Sequence, residues 1–211
     1  MQILEATAVC SVRKEGTAWM PRKNYYSSIA LLSIAMRHGH FVQFFHSDEQ
    51  QIDAMAWFVR ETLEADGTAV VLATPQHRAA VGARLESFGV DVSGEIAAYR
   101  YIEIDALTAL SQFFDGERCD HAKFHRQFDT LLRQVAARGK PVRVYGEIVN
   151  LLAQRNLDAA VLELEELWNE LSRHHAFTLF CGYSRHSLPN TAQMRKALER
   201  VCALHSVPPP M

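Results

Sequence analysis

Val142-Arg143-Val144-Tyr145-Gly146-Glu147 is a strand-like run that ends in a carboxylate. Ligands of open α/β sheets gather at the carboxyl ends of the strands, so Glu147 is the first candidate for contacting a small polar ligand. It equally suits the start of the next helix, where a negative charge meets the positive end of the helix dipole. Arg143 in the same run is unusual, because a charge inside a central strand needs a carboxylate partner; an internal ion pair accounts for it. His77 follows another strand-like run, in the turn that opens a helix, and is the second candidate. Asp105 and Tyr183, each placed after a further strand, are expected on the same rim, although Asp105 is also a simple helix N-cap. A rim of His, Asp, Glu and Tyr, with Arg143 behind it, is the expected ligand-binding set.

Other chemistries find no support. The loop His46-Ser47-Asp48-Glu49 stands where a nucleotide-binding protein holds its phosphate loop. It lacks the glycines, lysine and metal-binding hydroxyl pattern such a loop needs, and its two carboxylates repel phosphate. No G-x-G-x-x-G occurs elsewhere and no G-x-S-x-G elbow presents a nucleophile, so no catalytic residue is assigned. Cys119, His121 and His125 lie close together, yet no glutamate follows His121 to act as a base, and solvated or hydrogen-bonded histidines explain the spacing. No metal and no cofactor is expected.

The elements that must position the rim alternate between strand and helix from His40 onward, the pattern of an α/β protein with crossover connections. Strands are expected over Phe41–Phe45, Ala69–Ala73, Tyr99–Ile104, Val142–Tyr145 and Ala176–Cys181. Ser47 and Gln50 form a capping box; Thr74-Pro75, Asp105 and Asp120 open further helices, and Pro189-Asn190 start the last. Leu157, Ala160, Val161, Leu164, Trp168 and Leu171 mark a helix whose outer face is acidic through Glu163, Glu166 and Glu170. Both faces of the last strand are apolar, as in a central strand covered on both sides.

Composition bounds the function. The chain has 211 residues, 48% of them hydrophobic, with 22 Lys and Arg against 24 Asp and Glu. That is one core of ordinary size without the basic surface of a nucleic-acid binder. Cys10, Cys119, Cys181 and Cys202 lie far apart, which suits a reducing cytoplasm rather than a disulfide scaffold. The apolar run from Tyr25 to Met36 is shorter than the roughly 20 residues that cross a bilayer. Residues 1–37 are set apart as an N-terminal extension, 38–207 as the folded domain and 208–211 as a tail.

Several segments in order resemble the MEDS family, the sensory domain of methanogens, methylotrophs and DcmR. They are Val70 to His77; Leu85 with Gly89-Val90-Asp91; Val142 to Glu147; Leu164 to Trp168 with Leu171; Phe180-Cys181-Gly182-Tyr183; and Val201 to Ser206. The resemblance implies a three-layer α/β/α sandwich with a mostly parallel sheet, related to the RecA and KaiC fold but lacking its phosphate loop. It implies a signalling role, often beside a histidine kinase, and assigns neither a catalytic residue nor a ligand. The leading expectation is a cytoplasmic sensory module, not an enzyme, that binds an unidentified small molecule and relays to a partner such as a histidine kinase. A ligand-free interaction or homo-oligomerisation module, built on the Tyr25–Met36 run, is the alternative. A residual nucleotide hydrolase using Glu147 as base is the third reading.

Overall fold

The structure, a computed structural model, describes residues 39–205. The Tyr25–Met36 run, Cys10 and the prolines at 208–210 lie outside the described residues. Five strands, β1 (Gly39–Phe45), β2 (Thr68–Ala73), β3 (Tyr101–Asp105), β4 (Val142–Gly146) and β5 (Thr178–Ser184), form one sheet in the order β1-β5-β4-β2-β3. Every pairing is parallel. The helices are α1 (Asp48–Glu64), α2 (Pro75–Ser87), α3 (Val92–Ala97), α4 (Ala106–Phe113), α5 (His121–Ala136), α6 (Ile148–Gln154), α7 (Asp158–Ser172) and α8 (Ala192–Leu204).

Side chains alternate across a strand, and each strand divides its apolar residues between two cores. Val70, Leu72, Val144, Leu179, Cys181 and Tyr183 join α4 to α8 on one face. Ala69, Val71, Ala73, Tyr145 and Phe180 join α1 and α2 on the other. The larger core is knit by aromatic rings: Phe124 lies 5.1 Å from Trp168 and 4.8 Å from Phe128, which is itself 4.7 Å from Trp168. Such pairs add about 0.5–1.5 kcal/mol each beyond their buried area.

The expected caps form. Ser47 Oγ accepts from the Gln50 N–H at 3.2 Å, while Gln50 reaches back to the His46 N–H at 3.0 Å, one residue earlier than in the standard box. Thr74, Asp105 and Asp120 accept from His77, Thr108 and Lys123 in the same way. Two differences from the sequence reading matter. Helix α3, capped by Asp91, was not expected; none of its residues is buried, so it has no apolar stripe to read. Strand β5 runs on to Ser184, which puts Tyr183 inside the sheet rather than after it.

The connections β1 to β2 and β2 to β3 step toward one edge through α1 and α2; β3 to β4 and β4 to β5 step back through α4 to α7. Parallel crossovers are right-handed, so reversing direction moves the helices to the opposite face. The chains leaving β2 and β4 therefore part at their carboxyl ends, the switch point where open sheets of this kind usually hold ligands.

Candidate functional site

Glu147 and His77 meet at that switch point. Glu147 follows β4, and its own N–H donates to Leu72 O of the neighbouring β2 at 3.0 Å. The carboxylate is 1% exposed. Its Oε2 accepts from Gln51 Nε2 of α1 at 2.9 Å and from His77 Nδ1 at 2.5 Å, and its Oε1 accepts from the Thr74 N–H. One carboxylate thus ties together α1, β4 and the start of α2. Burial pulls the His77 pKa down, but the bond to Glu147 and the charges of Glu147 and Asp48 outweigh it and leave the ring more basic than usual. A histidine held through Nδ1 by a carboxylate keeps Nε2 as its second functional atom.

Behind this pair the site holds polar atoms whose bonding is incomplete. Gln51 Oε1 is buried and completes no hydrogen bond, and the Tyr145 hydroxyl, buried beside Gln51, completes none of good geometry. Burial, then the Glu147 charge, pushes the Tyr145 pKa well up, so the group stays a neutral hydroxyl. Gly182 of β5 makes room for it: a Cβ there would lie 1.9 Å from the Tyr145 oxygen. Orphaned buried polar groups are rare and mark places where water or a ligand completes the bonding.

The other expected rim residues are placed differently. Asp105 reaches the rim beside Ala73, where it caps α4 and pairs with Arg78 at 3.2 Å. The backbone N–H of Thr108, then Arg78, holds its carboxyl below the usual range. Arg143 lies at the opposite, amino end of the sheet, opposite Ala69 and Thr178. Burial lowers its pKa and the charge of Glu61 on α1 partly restores it, so the arginine belongs to the base of the sheet rather than to the switch point. Tyr183 is fully buried on the other face, and its hydroxyl donates to Glu165 Oε1 at 2.6 Å. The rim therefore loses Arg143 and Tyr183 and gains Gln51, Thr74 and Tyr145. Gln51 was legible as a polar residue one position from the apolar stripe of α1, but its contact spans 96 residues of sequence.

No phosphate cradle forms after β1. Ser47 Oγ takes the Gln50 N–H, the Gln51 N–H makes the first intrahelical bond to the Ser47 carbonyl, and Asp48 and Glu49 set two carboxylates in the first turn. His121 and His125 bind Glu163 at 2.9 Å and Glu170 at 3.3 Å on α7, the hydrogen-bonded histidines expected there. Burial pushes the Cys119 thiol up to about 12. Clefts on the surface lie along α5 and α7, one lined by His125, Asp129 and His175, another by Asn169 and Leu204.

A second titratable group was missed altogether. Glu165 of α7, His40 of β1, Cys181 of β5 and His205 after α8 are all buried, and one ligand-type atom from each lies within 4.8 Å of the others. Desolvation raises the Glu165 pKa, but His205 and then His40 more than offset it, and the carboxyl is held well below its usual range. Burial and the Glu165 charge push the Cys181 thiol well up. A comparison with curated proteins gives no match. A family comparison matches residues 39–206 to MEDS, described as the MEthanogen/methylotroph, DcmR Sensory domain. That span takes in the whole sheet, the switch point and the Glu165 group, and the chain belongs to the MEDS family of sensory domains.

Proposed function

We propose that the chain is a signalling module that senses a small polar ligand at the switch point between β2 and β4 and relays its state to a partner such as a histidine kinase. The observation that carries this reading is the Glu147–His77 pair at the point where the crossovers diverge, with the unpartnered Gln51 Oε1 and the poorly bonded Tyr145 hydroxyl behind it. Sensing rather than turnover is supported by the start of α1, where Asp48 and Glu49 set two carboxylates against the place a nucleotide's phosphates would need. The same layered architecture without a phosphate loop is what a degenerate relative of the RecA and KaiC fold has.

A ligand that makes new bonds to His77, Gln51 or Tyr145 raises the melting temperature by mass action. A thermal-shift screen of small polar compounds reads this directly. Hits that lose their shift in His77→Ala and Tyr145→Phe support the Glu147–His77 site. Hits that keep it in both variants, or no hit across a broad screen, count against it.

An interaction module without a small ligand is the second reading. Ile96, Tyr99 and Leu107 are exposed apolar side chains on the segments flanking the edge strand β3. Concentration-dependent sizing that changes on Tyr99→Ser and Leu107→Ser supports it; a monomer at every concentration removes it.

A further inference from the structure

We infer that His40, Glu165, Cys181 and His205 form a closed binding site for a divalent transition metal of the zinc class. The claim is independent of the Glu147–His77 site, which lies on the other face of the sheet.

The tautomers are fixed from outside the cluster. Asn169 Nδ2 donates to Leu204 O at 2.9 Å, which leaves Asn169 Oδ1 as the acceptor 3.0 Å from His40 Nδ1. His205 Nδ1 donates to Val201 O at 2.6 Å. Both rings therefore carry hydrogen on Nδ1 and turn Nε2 inward. Anchoring the distal N–H of a histidine on a carbonyl oxygen is how metal sites orient their imidazoles. Tyr183 performs the same service for the carboxylate by holding Glu165 Oε1 and leaving Oε2 to face the rings.

Of the six distances among the inward atoms, four lie between 3.1 and 3.5 Å and all lie within 4.8 Å. His40 Nε2 lies 3.2 Å from Cys181 Sγ and 3.1 Å from Glu165 Oε2. Cys181 Sγ and His205 Nε2 lie 3.5 and 3.4 Å from the same carboxylate oxygen. Metal bonds of about 2.0–2.3 Å in a tetrahedron place neighbouring donors roughly 3.3–3.6 Å apart. His205 Nε2 is buried and faces the same Glu165 Oε2 that His40 and Cys181 face, without completing a well-formed hydrogen bond to it.

Without metal, one proton on His205 Nε2 pairs with Glu165 and the Cys181 thiol donates to His40 Nε2, so the metal must displace those two protons to bind. A divalent cation with one thiolate, one carboxylate and two neutral imidazoles is electrically neutral and uses every inward lone pair. Coordination also removes the thiol proton that burial otherwise retains. The donor set, one soft sulfur and two imidazoles, selects zinc-class ions over magnesium and calcium. Four protein ligands leave no open position, so the metal cross-links β1, β5, α7 and the chain after α8 rather than activating water.

The test uses the purified full chain, stripped with chelator and titrated with cobalt(II). One equivalent is expected to produce the intense visible bands of a tetrahedral ion and a sulfur-to-cobalt charge-transfer band, all bleached by zinc(II). Cys181→Ser is expected to lose the charge-transfer band, and His121→Ala, outside the cluster, to keep it. X-ray absorption of the zinc-loaded wild type needs no variant and is expected to show one sulfur among nitrogen and oxygen neighbours. A folded chain that takes up no cobalt, a band that survives Cys181→Ser, or a zinc shell without sulfur overturns the site.

Discussion

Glu147 and Glu165 are both buried carboxylates bonded to histidine, on opposite faces of one sheet, yet they are solvated in opposite ways. Glu147 sits at the end of a strand, shares its charge with a backbone N–H and an amide, and touches water through His77, whose side chain is 16% exposed. Glu165 sits mid-helix, wholly enclosed, with two buried histidines, a thiol and a phenol around it. A carboxylate at the open end of a sheet can exchange its proton and its partners with solvent. One sealed between helix and strand is committed to fixed partners, and removing it strands their charges.

The comparison breaks first at Glu165. Glu165→Ala leaves Tyr183 and His205 buried without the carboxylate that each bonds, and is expected to cost about 3–5 kcal/mol in urea or thermal unfolding. Glu147→Gln keeps the bond from Thr74 but turns an amide donor toward Gln51 or His77. A smaller loss, about 1–3 kcal/mol, is expected by the same measurement. Equal losses at the two positions would mean that Glu147 is as closed as Glu165. Gly182→Ala presses a methyl against the Tyr145 oxygen and is expected to cost about 1–3 kcal/mol, with the Tyr145 near-ultraviolet signal altered.

Acidity separates the two groups more finely. The His77 pKa is raised on folding, so its contribution is complete below the pKa of an unconstrained histidine, about 6.5, and is lost as pH rises through the raised value. The difference in stability between wild type and His77→Ala is expected to shrink over that rise, read from melting curves at a series of pH values. His205 shifts in the same direction, which is why the difference rather than the wild-type curve carries the result. The smallest effect is expected from Tyr145→Phe. It deletes a hydroxyl that completes no bond of good geometry and is expected to change stability by under about 1 kcal/mol while abolishing any ligand shift that depends on it.

The strands and long helices were legible from their apolar patterning: Ala69 to Ala73 as a continuous apolar run, and α5 as a stripe of Phe124, Phe128, Leu132 and Val135. Glu147 and His77 were legible as positions, since both follow strands, but their contact depends on β2 and β4 being neighbours, which no local pattern encodes. Arg143 was misread because a charge in a strand says nothing about which end of the sheet it occupies. The Glu165 cluster was invisible because its members are scattered along the chain, with His40 and Cys181 141 positions apart. One signal was present. Glu165 falls four residues after Val161 and three before Trp168, on the buried stripe of α7 rather than on the acidic outer face with Glu163, Glu166 and Glu170.

Three consecutive residues of β5 serve the two faces in turn. Cys181 and Tyr183 point to Glu165, and Gly182 between them clears space for Tyr145 on the other side. A slip of β5 by a single residue would exchange these directions, since strand side chains repeat every two positions. It would drive a bulky group into the tyrosine and withdraw both the sulfur and the phenol from the glutamate. The strand is therefore a common wall whose alignment neither compartment can relax alone, and substitutions that loosen its pairing with β1 or β4 will disturb both compartments together.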